Sequence, residues 1–124
     1  MYFRNDKHKA LFKSAIKKMD KKDNVQMCIV YLLTAERKLW NKCRIYMIDN
    51  KIPIYRVRVG KCTGEGYALF CCAKDLGLGT THLTVKDLSD REVVSATLWK
   101  LIYTAMDIRR IGLSRMFYYK GEDE

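Results

Sequence analysis

Residues 23–35 read Asp-Asn-Val-Gln-Met-Cys-Ile-Val-Tyr-Leu-Leu-Thr-Ala, and the way this stretch folds decides the architecture. Asp23 followed three positions later by Gln26 has the spacing of a capping box, in which each side chain satisfies a free backbone N–H of a helix start. From Val25 to Ala35 the chain is apolar nearly all round, so a helix built here has no broad solvent face and must be covered by others. Ile29, Val30 and Tyr31 favour extended backbone, which makes a buried strand the competing reading. The cap at Asp23 tips the choice to a helix. The fold class expected is therefore mainly α, a single compact domain of about five helices.

Upstream, Asn5 and Asp6 can cap a helix on which His8, Leu11, Phe12, Ala15, Ile16 and Met19 recur at the spacing of one face. Its other face carries Lys9, Lys13 and Lys17, joined by Lys18, Lys21 and Lys22 in the expected last turn, where cations also suit the helix dipole. Downstream, Thr34 either continues the buried helix or caps a further one with Leu39, Trp40, Cys43 and Met47 inward, ending near Asp49 and Asn50. Pro53 stops helical structure, and Ile54 to Val59 alternates apolar with basic residues, which predicts a short extended arm or small hairpin near residues 52–60. Tyr67 to Ala73 reads as a short buried helix closed at Gly77. Thr84 with Asp87 predicts a single capped turn, and Ser89 with Glu92 a second box opening the longest helix, whose apolar stripe runs from Val94 to Ile108 and stops at Gly112. Residues 1–113 thus form the expected domain, and 114–124 an aromatic, then acidic and disordered, tail.

The 124 residues carry 24 Lys and Arg against 14 Asp and Glu, a net charge of +10. This charge is uneven: Met1 to Cys62 is net +11 and Thr63 to Glu124 net −1. A one-sided positive potential steers polyanions, so the candidate binding surface is Lys9, Lys13, Lys17, Lys18, Lys21 and Lys22 of the first segment with Arg37, Lys38, Lys42, Arg44, Arg56 and Arg58, and Tyr55 placed to stack on an exposed base. Lysine acts as a point charge, which predicts contact with phosphates rather than sequence readout. The partner expected is nucleic acid or an acidic, nucleic-acid-handling protein. The ordinary alternative is a solvated helix surface that serves solubility.

Other chemistries find little footing. The longest apolar run, Met27 to Leu33, is far short of the ~20 residues that span a bilayer, so no membrane contact is expected. Five cysteines behind a charged amino-terminal stretch imply reduced thiols in the cytosol. None of them shows the paired C-x2-4-C spacing of a zinc site, and no cofactor or metal is expected. A Cys71 or Cys72 nucleophile with His82 as base is the enzyme alternative. The glycines lack the spacing of phosphate-cradling loops. Residues Thr84 to Leu101 have a helix-turn-helix outline, but only Arg91 and Lys100 in it could reach bases. A structural or regulatory subunit that self-associates through Trp40, Trp99, Phe117 and Tyr118, for instance as a homodimer, is the remaining reading.

Phe3, His8, Lys9 and Phe12, then Tyr31 to Ala35 with Leu39 and Trp40, Gly66 and Tyr67, Ala73 to Leu76, and Ile108 to Gly112 together carry a likeness. Over residues 3–113 the chain resembles a family of small uncharacterised proteins carried on conjugative elements and phages of Firmicutes. The resemblance implies a cytoplasmic accessory protein that regulates transfer or blunts a host defence such as a CRISPR nuclease. It carries over no catalytic residue, because the shared positions are core and cap residues.

Overall fold

Asp23 accepts the Gln26 N–H at 3.1 Å and opens α2 (Asn24–Leu33), whose residues from Met27 to Leu33 are all buried. The computed structural model describes the backbone of residues 1–119 and the side chains through Met116. Helix α2 is covered by α4 (Gly64–Leu78) and α6 (Ala96–Ile111), with α1 (Asp6–Ala15) and α3 (Arg37–Cys43) closing its remaining sides. The single-turn α5 (Val85–Leu88) and the terminal α7 (Leu113–Tyr119) complete a mainly helical single domain, with no strand among the described residues. A segment apolar all round has become the element that the others wrap, as burial of its surface requires.

Thr34 ends α2 rather than continuing it. Its hydroxyl donates to the Val30 carbonyl at 2.7 Å, and α3 begins only at Arg37, after Glu36. Helix α3 is shorter than expected and passes into a 3-10 turn, Arg44–Tyr46. Residues 52–60 form neither an extended arm nor a hairpin: Ile54–Arg56 is a 3-10 turn, and the one antiparallel bridge described lies earlier, between Ile48 and Lys51. That bridge is closed by Asp49 and Asn50, both at positive φ, the geometry of a tight two-residue turn that Asp and Asn tolerate.

Helix α4 opens three residues earlier than the expected start at Tyr67, because Thr63 caps it by accepting the Gly66 N–H at 2.9 Å. Gly77 does not close it. A Cβ there would stand 2.8 Å from Ile29 Cδ1 and 3.1 Å from Ile54 Cγ2, so this glycine allows α4 to approach α2 closely. The left-handed cap is Gly79, at φ +75°. The box at Thr84 and Asp87 forms as the spacing predicts. Ser89 to Glu92, however, is turn, and the longest helix opens at Ser95, whose side chain accepts the Leu98 N–H. The seven residues between α5 and α6 exceed the three or four of a helix-turn-helix, which removes that outline. Gly112, at φ +90°, ends α6, but the chain continues as α7, with Leu113 and Met116 buried in the core. The expected tail therefore begins as packed helix, and its acidic end, residues 120–124, lies outside the described residues.

No helix among the described residues is long and apolar enough to cross a membrane.

Candidate functional site

The first helix is shorter than its apolar face suggests. It ends at Ala15, and Ile16 to Lys22 turns back toward the start of α2. The turn is held by Lys21, whose ammonium donates to the carbonyls of Ile16 at 2.8 Å, Lys17 at 3.0 Å and Met19 at 3.2 Å. Three donors meet three acceptors, so Lys21 is committed to the fold. Asp20 supports the same turn by accepting the Lys22 N–H at 3.0 Å.

This turn brings Lys13, Lys17 and Lys22 around one groove of about 700 Å³ between α1 and α7. Phe12, Ile16, Ile111 and Leu113 form its floor, Asn24 from the start of α2 closes one side, and Arg115 of α7 joins the lysines at the rim. Among the described residues no carboxylate lies within ion-pair distance of Lys13, Lys17, Lys18 or Lys22. Phe12, Ile16 and Leu113 are themselves buried, so the accessible apolar surface is largely Ile111 and the lysine stems. The groove is a cluster of cationic points on a firm apolar bed.

The other candidate residues do not join it. Lys9 is half-buried, with its ammonium over the Phe3 ring, and Lys18 is exposed beyond the groove. Arg37 lines a separate cleft with Lys7 and His8. Lys38 and Lys42 line another with Lys61 and Cys62, where Lys42 donates to the Lys61 carbonyl. Arg44, Tyr55, Arg56 and Arg58 are exposed around the 3-10 turns, and Arg58 spends its guanidinium on the Tyr55 and Val57 carbonyls. The continuous basic ridge is thus broken into separate patches: the cleft of Lys38, Lys42 and Lys61 also holds Glu36, whereas among the described residues the α1/α7 groove gathers its lysines and Arg115 with no carboxylate in its lining. Arg115 escapes any reading that treats the chain beyond Leu113 as tail; the apolar pair Leu113 and Met116, three apart after a glycine, is the signal of a further helical turn.

Four of the five thiols are buried. Cys28, Cys43 and Cys72 are buried, and burial pushes each thiol up to about 12; Cys71 is raised for the same reason. A thiol held protonated is a poor nucleophile. His82 is engaged elsewhere: its Nδ1 lies 2.9 Å from Asp75 Oδ1. Burial alone would raise the Asp75 carboxyl, but hydrogen bonds from the His82 and Leu83 N–H groups, the Thr80 hydroxyl and the His82 ring outweigh it and hold the carboxyl below its ordinary value. Asp75 and His82 therefore staple the loop after α4. In native alkylation followed by mass spectrometry, Cys62, the one half-buried thiol, is expected to react first while Cys28, Cys43 and Cys72 stay unmodified; rapid labelling of Cys71 or Cys72 would reopen the nucleophile reading. No group of three or more potential metal ligands occurs among the described residues.

His8 belongs to the core rather than to a site. It is buried against the rings of Phe3 and Tyr31, its Nδ1 accepts the Arg4 N–H at 3.0 Å, and its Nε2 donates to the Tyr31 carbonyl at 2.8 Å. Neither protein-family models nor curated proteins nor solved structures give a match to this chain.

Proposed function

We propose that the protein is a non-enzymatic binder of nucleic acid that grips phosphates through the groove between α1 and α7. The reading rests on one observation: Lys13, Lys17 and Lys22, with Arg115 beside them, ring a single concavity in which the described carboxylates pair with none of those lysines. Lys13 on α1 and Lys17 and Lys22 on the turn after it offer phosphates point charges, and none has the fork geometry that reads base edges. Binding is therefore insensitive to sequence and driven by counterion release. The resemblance to mobile-element proteins fits a role at nucleic acid during transfer, or against a defence nuclease that handles it.

Fluorescence anisotropy with labelled DNA and RNA oligonucleotides in rising salt tests this. Affinity should fall linearly on a log–log plot with a slope of roughly −3 on duplex DNA, one unit for each lysine engaged. Absence of binding to either nucleic acid at low salt would overturn it and leave an acidic protein surface as the ligand of the same lysines.

A further inference from the structure

On α6 the residues Trp99, Tyr103, Met106 and Arg110 succeed one another at intervals of four, three and four, which places them along one line of the helix surface. The three apolar members are 45%, 54% and 46% exposed, and the Trp99 and Tyr103 rings lie 6.4 Å apart. About half of each side chain stays open to solvent, although Tyr103 and Met106 also line a shallow cleft with Leu76. The remaining stripe of this helix, Leu98, Leu101, Ile102, Ala105 and Ile108, already packs inward, so α6 carries a second apolar line on its outer side.

We infer that this line is the contact between two copies of the chain, paired through antiparallel α6 helices about a two-fold axis. The pattern is self-complementary. An axis passing midway between positions 104 and 105 sets Trp99 opposite Arg110 of the second copy and Tyr103 opposite Met106, each pair occurring twice, as a two-fold contact requires. The first is a cation over an indole face and the second a thioether against a phenol ring, both favourable. Charge agrees along the flank: Lys100, whose ammonium stands 5.8 Å from the centre of the Tyr2 ring within its own chain, and Asp107 lie seven residues apart on one side of the stripe, and the same axis brings each Lys100 within about 3 Å, along the helix direction, of the other copy's Asp107. Arg109 is turned away, its Nε donating to the Leu76 carbonyl at 2.9 Å, and does not oppose the pairing.

The seam is short, about 17 Å from Trp99 to Arg110, which is below the extent of an obligate interface. The dimer is therefore concentration-dependent. Its two α1/α7 grooves would sit at opposite ends of the paired helices, because each groove adjoins the carboxyl end of α6.

Sedimentation velocity over a hundredfold range of concentration is the test. The unmodified protein should pass from monomer to dimer; Tyr103→Glu, at an exposed position that leaves the helix intact by circular dichroism, should remain monomeric throughout. Asp107→Lys should weaken the dimer at least tenfold, and adding Lys100→Asp to it should restore dimerisation, since the exchanged charges face each other again. A monomer at every concentration, a dimer that survives Tyr103→Glu, or failure of the double exchange to restore what the single change removed would each overturn the two-fold arrangement. Oligonucleotide quenching of Trp99 fluorescence in a protein that stays monomeric would assign the stripe to base stacking instead.

Discussion

Replacing Lys13, Lys17 and Lys22 together by Glu is expected to remove nucleic-acid binding while leaving the fold in place. Each phosphate neutralised contributes a slope of about 0.9 to the salt dependence on duplex DNA, so leaving three phosphates without their lysines lowers affinity by roughly two to three decades at 0.1 M salt, before any repulsion from the introduced carboxylates. All three side chains are exposed, and changes at such positions cost within about 0.5 kcal/mol each. Lys21 has a different role. Its ammonium holds the carbonyls of Ile16, Lys17 and Met19, so Lys21→Glu would loosen the turn that presents the groove, and a loss of binding would then report misfolding as readily as a missing phosphate partner. The paired control is Lys38→Glu with Lys42→Glu, in the separate cleft beside Lys61. That control carries two of the same charge changes, so it should lower the affinity only through the general field, by well under a decade. Equal losses from the triple and the control would mean that net charge alone drives binding and that the groove has no special role.

The elements legible in the sequence are those fixed by local chemistry. Asp23, Thr84 and Asn5 each accept a backbone N–H three residues ahead, as their spacing predicts, and Thr84 with Asp87 closes a full box, whereas Gln26 does not reach back to Asp23 but pairs with the Ile52 backbone. The apolar stripe of α6 and the all-round burial of α2 are likewise visible in periodicity, because burial is read directly from which positions are apolar. Where local signals compete, distance decides. Ser89 has the better local cap, with Glu92 three residues on, yet the helix opens at Ser95, and Val94 is buried just ahead of it. Gly77 and Gly79 are equally good helix ends, yet Gly77 is required by the approach of Ile29 and Ile54 from two other elements, which no reading of its neighbours discloses.

The candidate site was legible as composition and hidden as geometry. An apolar face continuing through Ile16 and Met19 implies an unbroken helix to Met19, and Met19 is indeed buried, but it reaches the core from a turn rather than from the helix. What bends the chain there is a side chain folding back on its own carbonyls, Lys21 onto Ile16, and such a contact leaves no periodic mark. The lysines of the expected ridge therefore separate: Lys9 packs on Phe3, Lys21 becomes structural, and Lys13, Lys17 and Lys22 converge on a groove whose opposite wall is α7. Trp40, a candidate for self-association by residue type, is buried in the core, whereas Trp99 is exposed. An indole's burial depends on which face of the helix its neighbours require, and for α3 and α6 those requirements differ.

Acid is expected to destabilise the protein through His8 well before its carboxylates protonate. Burial of the ring, opposed by the hydrogen bond to the Tyr31 carbonyl and reinforced by the nearby Arg4 guanidinium, lowers its pKa from the ordinary 6.5 to about 4. Between those two values the unfolded chain binds a proton that the folded chain refuses, so stability rises with pH across this window. The full contribution is present above pH 6.5 and is lost as pH falls toward 4, a change of about 3 kcal/mol. The geometry explains the refusal. Nδ1 accepts the Arg4 N–H at 3.0 Å, so a proton added there would set two donors face to face, in a pocket made by Phe3 and Tyr31 with no carboxylate hydrogen-bonded to the ring. Urea unfolding followed at a series of pH values measures the effect, with His8→Gln as reference, since glutamine can still donate to Tyr31 and does not titrate. The variant should be less stable at pH 7, because its amide fills the aromatic pocket poorly, but its stability should change much less than that of the unmodified protein between pH 6.5 and 4, and the two curves should converge or cross in acid. Parallel curves across that window would show that His8 is protonated as easily in the folded chain as in the unfolded one, and that the hydrogen bond from Arg4 does not persist in solution.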